Sequence, residues 1–260
     1  MGLVTLLTDF GEADTYVGQM KGALLSIAPQ TRWVDLTHRV PAQDVAAGAF
    51  LLWTAVEAFP AGTVHLAVVD PGVGSERRAV AARSGAGHLF VGPDNGLLVP
   101  ALELLGGVAE AVELTEPAFW GPRRSSTFHG RDLFAPVAAH LASGVALERV
   151  GRPLERLSRP FSFPAPVPEG EALRGEVIHV DGYGNLVSNL PASLLPRRFD
   201  VRVGEVEIHG GPHPHYQAVP PGGLLALLGS SGLLEISERD GNASKVLGVR
   251  RGAAIVVTAR

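Results

Sequence analysis

The chain has 260 residues, of which 46% are hydrophobic and 18% charged, with a formal net charge of -4 and no cysteine. That length suits a large domain followed by a smaller one, and that composition supports a substantial buried interior. The slight negative charge supplies no broad field for a nucleic-acid backbone, Arg123 and Arg124 forming the best basic cluster. The missing thiols exclude disulfides, thiolate catalysis and sulfur-bound zinc, leaving His and carboxylates as metal ligands. The start lacks a basic leader with a long apolar core, and no apolar run reaches the roughly 18 residues a spanning helix needs. The expectation is a cytoplasmic protein with no membrane partner.

Leu3 to Thr8 is an apolar run expected to form a fully buried first strand, and Tyr16 to Ile27 has helical spacing stopped by Pro29. Trp33 to Leu36 follows as a second strand, then Asp44 to Phe59 as a helix ended by Pro60. Thr63 to Val69 is the cleanest strand and is expected inside the sheet. Ala79 to Ala82 and His88 to Val91 suggest a hairpin, and Asp132 to Leu141 one more helix. This rhythm predicts an α/β domain with a mostly parallel sheet over residues 1–160.

Between Arg152 and Gly170 stand five prolines, Pro153, Pro160, Pro164, Pro166 and Pro168, which predict a linker over 161–170. Strand-like runs then follow at Gly175 to Val180, Val201 to Val203, Leu224 to Leu228, Leu233 to Ile236 and Ala254 to Thr258, with no convincing helix. Residues 171–260 are expected to form a small all-β domain, a barrel or a sandwich.

Ligands of open α/β sheets bind beyond the carboxyl ends of the strands, so polar residues directly after strands are the candidates. Asp9, in Thr8-Asp9-Phe10-Gly11, could accept hydrogen bonds from two ribose hydroxyls or cap the next helix. Asp70-Pro71-Gly72-Val73-Gly74-Ser75-Glu76-Arg77-Arg78 places an acid at a strand end and arginines just past a tight turn. Turn chemistry explains Pro71 and Gly72 but requires neither Asp70 nor Arg77. The Asp70 to Arg78 segment is not a phosphate loop, having neither a Gly-Lys-Ser/Thr ending nor a helix-opening Gly-x-Gly-x-x-Gly. Gly92-Pro93-Asp94-Asn95-Gly96 has the composition of an ordinary turn. Thr127-Phe128-His129-Gly130-Arg131-Asp132 sets a histidine just before a helix. His213 and His215 are expected to be exposed loop residues, since no third metal ligand is near in sequence. Tyr183 and Asn185, in Asp181-Gly182-Tyr183-Gly184-Asn185, could stack on a purine and bond its edge. Ser230, in Gly229-Ser230-Ser231-Gly232, could bind a carboxylate, although both loops also suit plain hairpin turns.

Taken in order, Thr-Asp-Phe-Gly, Val-Asp-Pro-Gly-Val-Gly-Ser-x-Arg-Arg, Pro-Asp-Asn-Gly, His-Gly-Arg-Asp, Gly-x-Gly-Asn and Gly-Ser-Ser-Gly run from Leu3 to about Ala243. This series resembles the S-adenosylmethionine hydroxide adenosyltransferase family, which is related to the bacterial fluorinase and chlorinase. The resemblance implies a Rossmann-like α/β domain, a C-terminal β-barrel and a homotrimer with each site between one subunit's N-terminal domain and a neighbour's C-terminal domain. It places the hydroxide-handling set on Asp70, Arg77 and His129, which the halogenating relatives lack. It also implies ribose binding by Asp9, adenine contact by Tyr183 and Asn185, and contact with the methionine part by Ser230. Ser231 stands where the halogenases carry arginine.

The implied reaction is hydrolysis of S-adenosylmethionine to adenosine and methionine by in-line attack at the ribose 5′ carbon, with no cofactor and no metal. The sulfonium leaves as a neutral thioether, so what must be supplied is an activated, aligned water. Asp70 and His129 are expected to orient it and take its proton, and Arg77 to stabilise developing hydroxide. Two alternatives remain at this level. One is a metal-dependent nucleoside hydrolase using Asp9 and Asp14, the other a protein that binds adenosine or S-adenosylmethionine without reaction.

Overall fold

Buried residues run without interruption from Val4 to Thr8, which a strand achieves only where both faces of its sheet are covered. In the computed structural model, which describes residues 2–260, this strand is β1 (Leu3–Thr8). It is followed by α1 (Tyr16–Ile27), β2 (Arg32–Thr37), α2 (Val45–Ala55), β3 (Val64–Val68), β4 (Ala79–Ser84) and β5 (Leu89–Pro93). Then come α3 (Val99–Leu104), β6 (Val108–Glu113), α4 (Ala135–Ala142) and β7 (Arg152–Pro153). The strands form one sheet in the order β2-β1-β3-β5-β4-β6-β7. The neighbours β2, β1, β3 and β5 are parallel, whereas β4, β6 and β7 extend the sheet antiparallel. β3 therefore lies inside the sheet between two parallel partners.

Strand alternation assigns the two faces. Val4, Leu6, Leu66 and Val68 pack with Met20 and Leu24 of α1 and with Val137 and Leu141 of α4. Residues of opposite parity meet α2, whose Gly48 lies so close that an added Cβ would stand 3.0 Å from Val69 Cγ2. The helix expected from Asp44 to Phe59 divides into α2, capped by the Asp44 side chain, and a 3-10 turn at Val56–Ala58. α3 and β6 carry no clear signal in sequence: one has six residues, and the other alternates Ala and Glu with only two β-branched residues.

On that second face two histidines are buried together. His65 Nε2 lies 3.0 Å from His88 Nδ1, and His65 Nδ1 lies 2.8 Å from Thr5 Oγ1. Burial, with the charge of His88 as a lesser cause, lowers the His65 pKa to about 3. Above the ordinary histidine pKa of about 6.5 neither the folded nor the unfolded chain is protonated at His65; below it only the unfolded chain takes the proton. Stability should therefore fall by about 1.4 kcal/mol per pH unit from about 6.5 down towards 3 on this account. Urea midpoints between pH 7.5 and pH 5.0 should drop in the wild type and change less in His65→Leu; equal slopes would refute the assignment.

The chain divides into two compact units, Met1–Ser162 and Phe163–Arg260. The second contains β8 (Val167–Glu169), β9 (Ala172–Val180), β10 (Leu186–Pro191), β11 (Phe199–Val203) and β12 (Val206–Gly211). β13 (Leu224–Leu228), β14 (Leu233–Glu238), α5 (Ala243–Leu247) and β15 (Ala254–Ala259) complete it. Its antiparallel sheet runs β12-β11-β15-β9-β10-β14-β13, with β8 beside β9. The two ends approach each other where His213 N donates to Ala226 O at 2.7 Å, so the sheet is nearly a closed barrel. Val177, Leu186, Phe199, Val201, Leu234, Ile236 and Ile255 belong to its interior.

Three expectations are corrected in this region. The proline-rich linker ends in a strand, because β8 pairs with β9 at Val167 to Glu169; proline is tolerated where only one edge is paired. A helix is present, α5, whose Asn242 side chain accepts from Lys245 N and whose end is the left-handed Gly248. His213 is half-buried at the barrel seam, and only His215 is exposed. No helix among the described residues is long and apolar enough to cross a membrane.

Candidate active site

The chain leaves β1 for β2 on one side and then returns to β3 on the other. The carboxyl ends of β1 and β3 therefore flank a topological switch point, where open α/β sheets take their ligands. A cavity of about 380 Å³ opens there, and its wall includes Phe10, Val68, Asp70, Phe128 and His129.

Asp70 directly follows β3 and Val69, and the turn that follows brings Arg77 back onto it. Arg77 Nε donates to Asp70 Oδ1 and Oδ2 at 3.0 Å each, and Nη2 donates to Oδ2. The same Nη2 stands 2.8 Å from His129 Nδ1, so one guanidinium joins the acid to the imidazole. The Arg77 and Asp70 side chains are 11% and 5% exposed, so this is a largely buried ion pair. Gly74 makes the meeting possible. It has a φ of 78°, and an added Cβ would lie 2.4 Å from Ser126 O, in the loop that leads to His129.

His129 precedes a π-helical turn over Gly130–Phe134, with α4 continuing from it. The helix expected from Asp132 thus starts two residues earlier and begins with a π turn, a rare form that is frequent at functional sites. Gly130 packs tightly, since a Cβ there would lie 3.1 Å from Met20 Sδ and 3.2 Å from Phe10 Cε2. Asp132 is buried, accepts from Arg131 Nε at 2.6 Å and holds Ser125 N at 2.9 Å. Beneath the triad lies Phe134, fully buried, with Arg77 Cζ 5.2 Å from its ring centre and the His129 ring 6.4 Å away edge-on. Burial, then the positive charge of Arg77, pushes the His129 pKa below its ordinary value against the opposing carboxylates of Asp70 and Asp132.

Part of the cavity wall has no counterpart among the sequence candidates. Phe10, Tyr16 and Phe128 stand edge to face with centroids 5.3–6.0 Å apart, and all three line the cavity with Gln19 and Arg131. Arg131 Nη1 donates to Gln19 Oε1 at 2.8 Å. The available signal is adjacency: Phe10 follows Asp9, Phe128 precedes His129, and Gln19 stands three residues after Tyr16, on the same helix face.

The remaining sequence candidates are placed as follows. Asp9 follows β1 outside that cavity wall; its Oδ2 accepts from Gln43 N at 2.8 Å, and Gln43 has a φ of 64°, rare without glycine. Asp9 does not cap α1, whose N-cap is Thr15. Among the described residues no set of three or more His, Asp or Glu is placed to hold a metal ion, at Asp9 and Asp14 or elsewhere. In the second unit Asp181 Oδ1 accepts from Tyr183 N and Asn185 N, and its Oδ2 from Asn185 Nδ2, all at 2.9 Å. This holds Asn185 rigidly, while Tyr183 is 80% exposed, which leaves its ring open to stacking. Ser230 is exposed in the β13–β14 turn.

The Gly92 to Gly96 segment is more than the ordinary turn its composition suggests. Asp94 is buried, receives Arg78 Nε at 2.8 Å and Ser158 N at 2.7 Å, and so ties three segments together. Asn95 Nδ2 donates to Val69 O at 2.8 Å, directly before Asp70.

Residues 4–151 match the SAM hydroxide adenosyltransferase N-terminal domain, and residues 175–256 match the C-terminal domain of the same family. A protein of Salinispora arenicola named (R)-S-adenosyl-L-methionine hydrolase is 44% identical, covering 98% of this chain and 97% of its own. One of that name from Thermus thermophilus is 40% identical over 97% and 98%. A fluorinase of an Actinoplanes species is 32% identical over 75% and 74%. The crystal structure of a conserved protein of Thermotoga maritima, 38% identical, superposes with a TM-score of 0.90, covering 98% of this chain and 99% of the other.

Proposed function

The chain belongs to the SAM hydroxide adenosyltransferase family, and from that premise we propose that it hydrolyses S-adenosylmethionine to adenosine and methionine by in-line attack of water on the ribose 5′ carbon. The observation that carries this reading is the buried Asp70–Arg77–His129 assembly at the mouth of β3. Asp70 and His129 face the cavity, and Arg77 stands behind them, joined to both. The Asp70 carboxylate, though its charge is met by Arg77, keeps acceptor capacity that the protons of water can use and a halide cannot, which favours water over an anionic nucleophile. The sulfonium needs no protonation to leave, so the residues have one task, to align and deprotonate the nucleophile.

In this reading Asp9 receives the ribose hydroxyls, with Gln43 N–H fixing its other side. Tyr183 stacks on adenine, Asn185 bonds its edge, and Ser230 holds the methionine part; the free ring of Tyr183 and the fixed amide of Asn185 support these roles. The first unit is read as Rossmann-like. The assembly is read as a homotrimer in which a neighbour supplies Tyr183, Asn185 and Ser230, and no metal or cofactor takes part.

Purified protein incubated with S-adenosylmethionine should release adenosine and methionine in equal amounts, unaffected by a chelator or by added chloride, from a particle of three chains by light scattering. Free adenine would favour a nucleoside hydrolase, a 5′-halogenated product a halogenase, and intact ligand a binding protein; each outcome would overturn the proposal.

A further inference from the structure

We propose that His129 acts as a hydrogen-bond donor to the attacking water through Nε2–H, and that the water's proton passes to Asp70. The proposal rests on the hydrolytic reading and assigns its proton transfer. An arginine guanidinium offers donors only. The 2.8 Å contact between Arg77 Nη2 and His129 Nδ1 therefore requires a lone pair on Nδ1. A neutral imidazole with a bare Nδ1 carries its hydrogen on Nε2. Burial and the neighbouring guanidinium both favour that neutral form. His129 is left with no vacant basic nitrogen: one accepts from Arg77, and the other is protonated.

Asp70 is differently placed. Its two oxygens together offer about four acceptor sites, and the hydrogen bonds from Arg77 are a pair to Oδ2 and one to Oδ1, with Nε shared between the oxygens. Acceptor capacity remains on a carboxylate that lines the cavity beside His129. The four tetrahedral directions of the water are then all used. One lone pair accepts Nε2–H, the other attacks, one O–H points to Asp70, and the last stays on the product hydroxyl.

The step balances without free hydroxide. The oxygen lone pair forms the O–C5′ bond while the C5′–S bond breaks, and its electron pair moves to sulfur, giving the neutral thioether of methionine. As oxygen bonds to carbon it gains positive charge and its protons become far more acidic, so a carboxylate is base enough. The proton moves to Asp70 and then to solvent. Arg77 in this scheme is a positioning residue that holds the carboxylate and selects the imidazole tautomer.

The wild-type enzyme labelled with 15N-histidine decides the point by long-range proton–nitrogen correlation at pH 7.5, with His129 assigned by its loss in His129→Gln. A protonated Nε2 and bare Nδ1 are expected; a protonated Nδ1 with bare Nε2 would overturn the proposal. In turnover, His129→Gln keeps an N–H donor at the Nε2 position and should retain kcat within about 10-fold of wild type. His129→Ala should lose about 10²–10³-fold, the usual effect of removing one such donor. Glutamine cannot take a proton, so a Gln variant as inactive as the Ala variant would also overturn the assignment. Should S-adenosylmethionine prove not to be hydrolysed, the proposed function falls while the tautomer spectrum stands. Should hydrolysis occur with Nδ1 protonated, only this inference falls.

Discussion

Arg77→Met is expected to lower turnover by about 10³-fold or more and the unfolding free energy by about 3–5 kcal/mol. The stability loss follows from burial: the Asp70 side chain is 5% exposed and Arg77 binds both its oxygens. Removing the cation leaves a carboxylate in a poorly solvated place, and it also removes the donor to His129 Nδ1. Both groups can then rotate or change protonation, so the loss in kcat should exceed what lost affinity alone would give. Arg39→Met is the control. The Arg39–Glu12 pair lies with its side chains 76% and 60% exposed, and such pairs contribute about 0–1 kcal/mol. Chemical denaturation together with single-turnover kinetics separates the two effects. An Arg77→Met protein as stable and as active as Arg39→Met would show that the buried pair is not a working unit. The double variant Asp70→Asn with Arg77→Met should regain part of the lost stability, since no uncompensated charge remains, but none of the activity.

What could be read in the chain before the structure follows the range of the interactions involved. β1 and α1 are legible to the residue because a buried strand and a helix ended before Pro29 are written in local apolar spacing. Asp70 and Arg77 are also legible as a pair, being seven residues apart across one glycine-rich turn. Their meeting with His129 is not local; it depends on β3 and α4 lying together, and only the resemblance of ordered motifs foretold it. The aromatic wall fails for the same reason. Phe10 follows β1, Tyr16 opens α1 and Phe128 precedes α4, and the sheet order brings them into one contact set. Asp94 reads as a turn residue because Arg78 and Ser158 lie far from it in sequence. The π turn at Gly130 has no period of its own, and its only mark is the glycine that lets it approach Met20 and Phe10. In the second unit β10 and β12 escape notice because Ser188 and Asn189 interrupt the apolar run of one and Glu207 and His209 that of the other, so that barrel closure rather than alternation defines them.

Phe134→Ala should be the second most damaging change, and it links the core to the chemistry. The ring is fully buried in the cluster that joins α4 to the parallel sheet, and truncating a buried phenylalanine costs about 3–5 kcal/mol through lost burial and the void left behind. The same ring is the floor under Arg77 and His129, at 5.2 and 6.4 Å. A void there lets the guanidinium sink and the Nη2–Nδ1 contact lengthen, and displacements near 1 Å in such constellations reduce turnover by about 10²-fold. Leu141→Ala gives the comparison. It lies in α4, which continues from the π turn, and in the same core cluster but away from the triad, and it should lose about 2–5 kcal/mol while kcat in the folded fraction stays at the wild-type value. Measured well below both melting transitions, a Phe134→Ala enzyme with wild-type kcat would mean that the triad is held by its own hydrogen bonds alone. A fall in kcat confined to Phe134→Ala would mean that the π turn and its phenylalanine are part of what positions the water.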